Sequence, residues 1–357
     1  MITAEMREIV EVCRKFAGRY IGPYALEADL NRDRDWLLSV WKKSAEIGII
    51  GLGVPEELGG VGQTDTCCAL VLDALASECP GVASLYLHQY VAIKAILAAG
   101  EPQKTSLISS LLNAGGHAHP IIALIFPSDV DEKRLSLRQE GERLFLSGAS
   151  SLTGNVLLAS HFLVFLREEG DSTAMTSIWI EKDSPGVTLG EDAGLPGLAV
   201  NPFASVLCAD VEITSEDIIG ERRQAKTLYD TSMKAWYGFI AACAMGAARS
   251  AFNKSVIYAK DRYQFGDKII HHQEIQRMLG NMLTKLSVGT SSYLSALEGE
   301  SNGILQEPLQ PVFSKVFCTD AALEIAVDAV QIHGGYGYVR EYEVERMYRD
   351  QRLCAIG

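Results

Sequence analysis

At 357 residues the chain exceeds what one hydrophobic core usually supports, so two or three packed regions are expected. Its 48% hydrophobic and 22% charged residues exclude a disordered or fibrous chain. A net charge of −13 argues against a nucleic-acid binder, whose affinity rests on Lys and Arg.

The opening stretch MITAEMREIVEVCRKFAGRY is acidic and amphipathic without an apolar h-region, so no signal peptide is expected. No segment is expected to span a membrane; the apolar run WYGFIAACAMGAARSAF is short and broken by Arg249. The eight cysteines form no CxxC pair and no metal-ligand spacing, which fits reduced, buried thiols in a cytoplasmic protein.

Helical periodicity governs REIVEVCRKFAGRYI, DWLLSVWKKSAEIGIIGL and, after the turn VPEELGGVGQ, TCCALVLDALASE. From about Ile121 to Gly220 the period changes to two. RLSLRQEGERLFLSG alternates on both sides of Glu140-Gly141 and predicts a hairpin. HFLVFLRE, TSIWIEKDSPGV and SVLCADVEIT continue the strand pattern. Long helical runs then return, the last closing on Gly334-Gly335, a natural helix cap. The expected plan is α+β, with regions at 1–118, 119–224 and 225–357.

Two stretches are distinctive: YAKDRYQFGDKIIHHQEIQ (258–276) and DAVQIHGGYGYVREYEVERMYRD (328–350). Together with EIGIIGLGVPEELGGVG, EKDSPGV and DVEIT…IIGE, they resemble the acyl-CoA dehydrogenases over nearly the whole chain, in the family's order. The resemblance implies an N-terminal helical domain, a middle β-barrel or sandwich and a C-terminal four-helix bundle, here cut short at its end. It further implies an FAD-bearing tetramer that oxidises an acyl-CoA to the 2,3-enoyl thioester and passes electrons to an electron-transfer flavoprotein. The chemistry needs a carboxylate within reach of the substrate α-carbon and a flavin to accept the β-hydride.

By the same resemblance each FAD lies across a subunit boundary. A neighbour's C-terminal domain grips its adenosine and pyrophosphate through positions matching Arg262, Phe265, Gly266, Gln273, Gln331, Gly334 and Gly335. A guanidinium suits phosphate oxygens, and paired glycines let backbone approach a pyrophosphate. Taken singly, Gly-Gly after a helix is only a cap and an arginine only an ion-pair partner.

The half that receives the isoalloxazine departs from the family. The loop resembling Thr-Glu-Pro-x-x-Gly-Ser-Asp reads ALIFPSDVD, with Ile125 and Phe126 replacing Thr and Glu and a shortened path to Ser128-Asp129. The Trp-Ile-Thr-Asn segment reads Leu152, Thr153, Gly154, Asn155, although a one-residue gap would give Thr153 the hydroxyl role. Thr153 and Asn155 remain expected cofactor contacts, and Ser128, Trp236 and Tyr237 substrate contacts.

Counting from Arg349-Asp350, the family's usual Glu base falls just beyond Gly357. The alternative base position is Trp236, with Tyr237 beside it. Neither an indole nor a phenol is a useful base at neutral pH. Asp230, Glu345 and Asp350 are expected to pair or cap. Three functional readings follow: a subunit working with a catalytically complete sister chain, a homotetrameric FAD enzyme with a non-standard base or a related flavin reaction, and an inactive acyl-CoA-binding scaffold.

Overall fold

A computed structural model describes residues 2–101, 103–112, 119–128, 134–168, 174–298 and 309–356. The N-terminal region comprises α1 (Ala4–Tyr20), α2 (Ala25–Asn31), α3 (Arg34–Ala45), α4 (Asp65–Ala76), α5 (Pro80–Ala98) and α6 (Gln103–Leu112). Thr3, Asp33 and Thr64 accept hydrogen bonds from Met6, Trp36 and Cys67 N–H, fixing the starts of α1, α3 and α4.

The sequence signals did not isolate α5, whose periodicity is hidden because nearly every side of it is buried. By length and composition alone α5 would be apolar enough to cross a membrane, but 78% of its apolar window is buried inside the fold. Within the fold it is a core helix packed on α4 and, further along the chain, on α7 (Lys226–Asp261).

The middle region holds β1 (Ile122–Ile125), β2 (Ser136–Glu140), β3 (Arg143–Ala149), β4 (Thr153–Gly154), β5 (His161–Arg167), β6 (Met175–Glu181), β7 (Val187–Leu189), β8 (Phe203–Ala204) and β9 (Val206–Ile213). One sheet runs β1-β5-β6, with β1 parallel to β5; the other runs β2-β3-β9-β7, all antiparallel. The expected hairpin is present: Glu140 pairs with Arg143 around Gly141, which adopts a φ of 62°.

Beyond α7, a short hairpin of β10 (Tyr263–Gln264) and β11 (Asp267–Lys268) leads to α8 (Gln273–Glu298). α9 (Leu309–His333) and α10 (Val344–Ile356) follow, and α7 to α10 pack on one another. Gly334, at φ 57°, closes α9 as expected.

The regions are joined by charge and close packing. A strap at 192–198 is gripped from both helical regions: Arg34 pairs with Asp192 at 2.5 Å, and Arg32 donates to the Gly194 and Leu195 carbonyls. Arg349 of α10 pairs with Asp29 at 2.7 Å and donates to the Pro196 carbonyl, while Leu198 N–H donates to Asp350 at 2.6 Å. At the α4–α7 crossing, a Cβ on Gly246 would lie 2.2 Å from the Asp73 carbonyl oxygen. Backbone cannot yield as a side chain can, so Gly246→Ala should lower stability by about 1–3 kcal/mol in urea unfolding. An unchanged midpoint would contradict this contact.

Candidate active site

The site is built where α5, β1, β5 and α7 meet. Phe126 follows β1 and stacks on Phe165 of β5, with centroids 5.8 Å apart and planes at 10°. Its other contacts are edge-on, to Tyr229 at 6.2 Å and Trp236 at 5.2 Å, both on α7. Trp236 also meets His88 of α5 at 5.1 Å and 85°. Five rings from four segments thus occupy one place.

His88 was not singled out from sequence, because a lone histidine in an apolar helix is usually core. It is 4% exposed, and its Nδ1 accepts the Leu124 N–H at 3.1 Å. The ring proton therefore resides on Nε2. Burial lowers its pKa to about 3, so the ring is neutral. A Cβ on Gly154 would lie 3.2 Å from His88 Nε2 and from the Phe203 ring, and 3.3 Å from Asn201 Nδ2. A larger residue here would crowd three neighbours.

The receiving half does not fit a flavin edge as arranged. Leu124 and Ile125 are buried among apolar neighbours, and Leu152 stands 56% exposed rather than packed against a ring. Thr153 is half-buried and donates its hydroxyl to the Ser151 carbonyl at 3.1 Å. Beside Ile125–Ser128, Ser150-Ser151 and Phe165–Arg167 remains a void of about 20 Å³, room for about one water. Ser128 lines it; Asp129 lies outside the described residues.

Asn155 is engaged within the protein. It is fully buried, at φ 68°, and its side-chain N–H groups donate to the Leu85 and Ile122 carbonyls. Its Oδ1 accepts from Asn201, so no side-chain face is left for a cofactor. The asparagine joins α5 to β1 and to Asn201 beyond the strap, because a buried amide must find partners.

The donor half has a different character. Arg262 caps α7 and lies over the Tyr336 ring at 5.4 Å; its guanidinium makes no ion pair among the described residues. Phe265, at the β10–β11 tip, is 93% exposed, and Gln273 and Gln331 are exposed on α8 and α9. Nothing lies within 4 Å of a Cβ built on Gly266, Gly334 or Gly335. Backbone there is open to a pyrophosphate. The seven residues do not line one cleft: Arg262 faces Lys254, Tyr258 and Tyr336, whereas Gln331 faces Tyr338, Arg340 and Tyr348.

The carboxylates singled out from the sequence are engaged in pairs and caps. Asp230 pairs with Lys226 at 2.6 Å and Glu345 with Arg349 at 2.7 Å. Asp350 is buried under Leu198, and that burial pushes its carboxyl up to about 7. Tyr237 is half-buried beside Trp236.

The N-terminal domain model of the acyl-CoA dehydrogenases matches residues 3–113, and the C-terminal domain model matches 238–357. The chain belongs to the acyl-CoA dehydrogenase family. A 3-(aryl)acrylate reductase of Clostridium sporogenes is 28% identical over 365 residues, covering 100% of this chain and 95% of its own. An acyl-CoA dehydrogenase of Bacillus subtilis is 29% identical over 363 residues, covering 99% and 94%. The butyryl-CoA dehydrogenase structure from Megasphaera elsdenii superposes with a TM-score of 0.89 at 22% identity, covering 100% and 94%. The acyl-CoA dehydrogenase fold is thus present throughout, with helical regions flanking the β region. Relatives named as dehydrogenases and as reductases place the chain among the family's oxidoreductases.

Proposed function

We infer that this acyl-CoA dehydrogenase-family chain is one subunit of an FAD-bearing tetramer, working beside a catalytically complete sister chain. Regions 1–118, 119–224 and 225–357 would serve as its three domains. The sister oxidises an acyl-CoA to the 2,3-enoyl thioester and passes electrons to an electron-transfer flavoprotein. FAD, when bound there, supplies the hydride acceptor. Arg262, Phe265, Gln331, Gly334 and Gly335 of this chain would hold its phosphates and adenosine. Eight buried, unpaired cysteines suit the reducing cytoplasm.

The supporting observation is an asymmetry within one chain. The surface that would serve a neighbour's cofactor is open and carries an arginine free of ion pairs among the described residues. The place where a base would meet this chain's own substrate is closed by aromatic contacts, with Trp236 at the base position.

Purified alone, the chain should be flavin-poor by visible absorbance and turn over no acyl-CoA. Co-expressed with its sister chain, it should be recovered in a complex that bleaches on acyl-CoA addition. Stoichiometric flavin in the homo-oligomer would sink the reading and favour a homotetrameric enzyme. Acyl-CoA binding without product at any ratio of the two chains would favour a scaffold.

A further inference from the structure

Arg262 is fixed at its backbone and held by a ring at its head. Its N–H donates to the Tyr258 carbonyl at 2.9 Å, and its own carbonyl accepts the Ile269 N–H at 2.9 Å. The guanidinium lies 5.4 Å from the centroid of the Tyr336 ring. Asp261, Glu341 and Glu343 line the same cleft, yet Arg262 makes no ion pair with them among the described residues. Glu343 is instead taken by Lys254 at 3.5 Å and Arg346 at 2.7 Å.

The choice of partner matters chemically. A carboxylate would occupy the N–H groups of a guanidinium and offset its charge in one bidentate pair. An aromatic face attracts the cation from above and leaves its in-plane N–H donors unspent. Tyr336 is itself built in. It lies in the turn Gly334–Tyr338, where a Cβ on Gly337 would collide with the Val330 carbonyl oxygen, so the turn rests directly on α9. Its ring meets Tyr342 at 5.1 Å and Tyr258 at 6.5 Å. Tyr258 stacks on His333 at 4.3 Å and 25°, and the buried His333 donates its Nδ1–H to the Ala329 carbonyl at 2.8 Å. A row of rings thus runs from the buried end of α9 out to the guanidinium.

We propose that Tyr336 is a positioning residue for Arg262: its ring holds the guanidinium, charged and with its N–H groups free, toward the pyrophosphate of a neighbouring subunit's FAD. The proposal rests on the reading above and deepens it, since Tyr336 acts on the cofactor only through Arg262.

The test reads FAD binding rather than turnover. The complex of this chain with its sister, stripped of flavin, is titrated with FAD and followed by flavin fluorescence. Tyr336→Leu keeps an apolar side chain but no π face and should weaken binding at least about threefold, while Tyr336→Phe should leave it unchanged. Arg262→Gln should weaken binding on its own, and adding Tyr336→Leu to it should have no further effect. If Tyr336→Leu does not fold, Tyr336→Met takes its place. Unchanged affinity in Tyr336→Leu, equal losses in the Leu and Phe variants, or full additivity with Arg262→Gln overturns the positioning role and leaves the sister-chain reading standing. If flavin binds only to a homo-oligomer of this chain, the sister-chain reading falls and the same variants decide the positioning role there. An absence of FAD binding by every assembly containing this chain overturns both.

Discussion

Replacing Arg249 with Met should cost about 3–5 kcal/mol, because it leaves a buried carboxylate without its cation. Asp73 of α4 is almost wholly buried and receives two arms of Arg249, at 3.2 Å and 3.0 Å. Tyr293 of α8 donates to the same carboxylate at 3.0 Å, and Arg249 also reaches Thr290 at 3.2 Å. Three helices from two regions thus share one charge. The converse substitution, Asp73→Asn, should cost less: about a third of the Arg249 side chain is exposed, so water can take over its solvation. Because the residues share partners, the double variant should fall short of the sum. Equilibrium urea unfolding of the three variants checks this, and equal small losses for both singles would refute it.

His88 should contribute an acid limb to stability, opposed in part by Asp350, whose raised carboxyl favours the folded state as pH falls. In the folded chain its pKa is lowered to about 3, whereas an unfolded histidine titrates near its ordinary value. Between those values the unfolded state binds the extra proton, so stability rises with pH and is lost as pH falls from about 6.5 toward 3. The slope from this residue alone is about 1.4 kcal/mol per pH unit in that window. His88→Asn keeps an acceptor for the Leu124 N–H while removing the titration, so its stability should fall less steeply over the same range. Burial also lowers the His161 and His333 pKa values, and their share should persist in the variant. Parallel stability–pH curves for the two proteins would count against a buried neutral His88.

Much of the fold was legible in local signals. Hydrophobic period, the Gly141 turn and the Gly334 cap are short-range features, and each reappears in its expected place. The helix α5 was not legible, because burial on every side removes the amphipathic contrast that periodicity needs. The parallel pairing of β1 with β5 joins strands far apart in sequence and leaves no local mark.

The site was legible in outline but not in contacts. The departures at Ile125, Phe126, Leu152, Gly154 and Trp236 could be read by position. That they meet His88, Tyr229 and Phe165 could not, since the meeting depends on how α5 and α7 lie against the β region. The partners of Asn155 were not legible for the same reason. Its position suggested a cofactor contact, while its left-handed backbone and three amide partners make it scaffolding. Arg249 appeared in the sequence only as an interruption of an apolar run, yet it is the cation on which Asp73 depends.

The strap at 192–198 restricts how this molecule can move. Swinging the β region away from the helices would break the Arg34–Asp192 pair, the Arg349 bond to the Pro196 carbonyl and the Leu198–Asp350 bond in one step. Hinge closure over microseconds to milliseconds is therefore disfavoured, and faster local excursions of side chains are the motions left. Any widening around Trp236 would then come from rotation of individual rings while the backbone frame stays still.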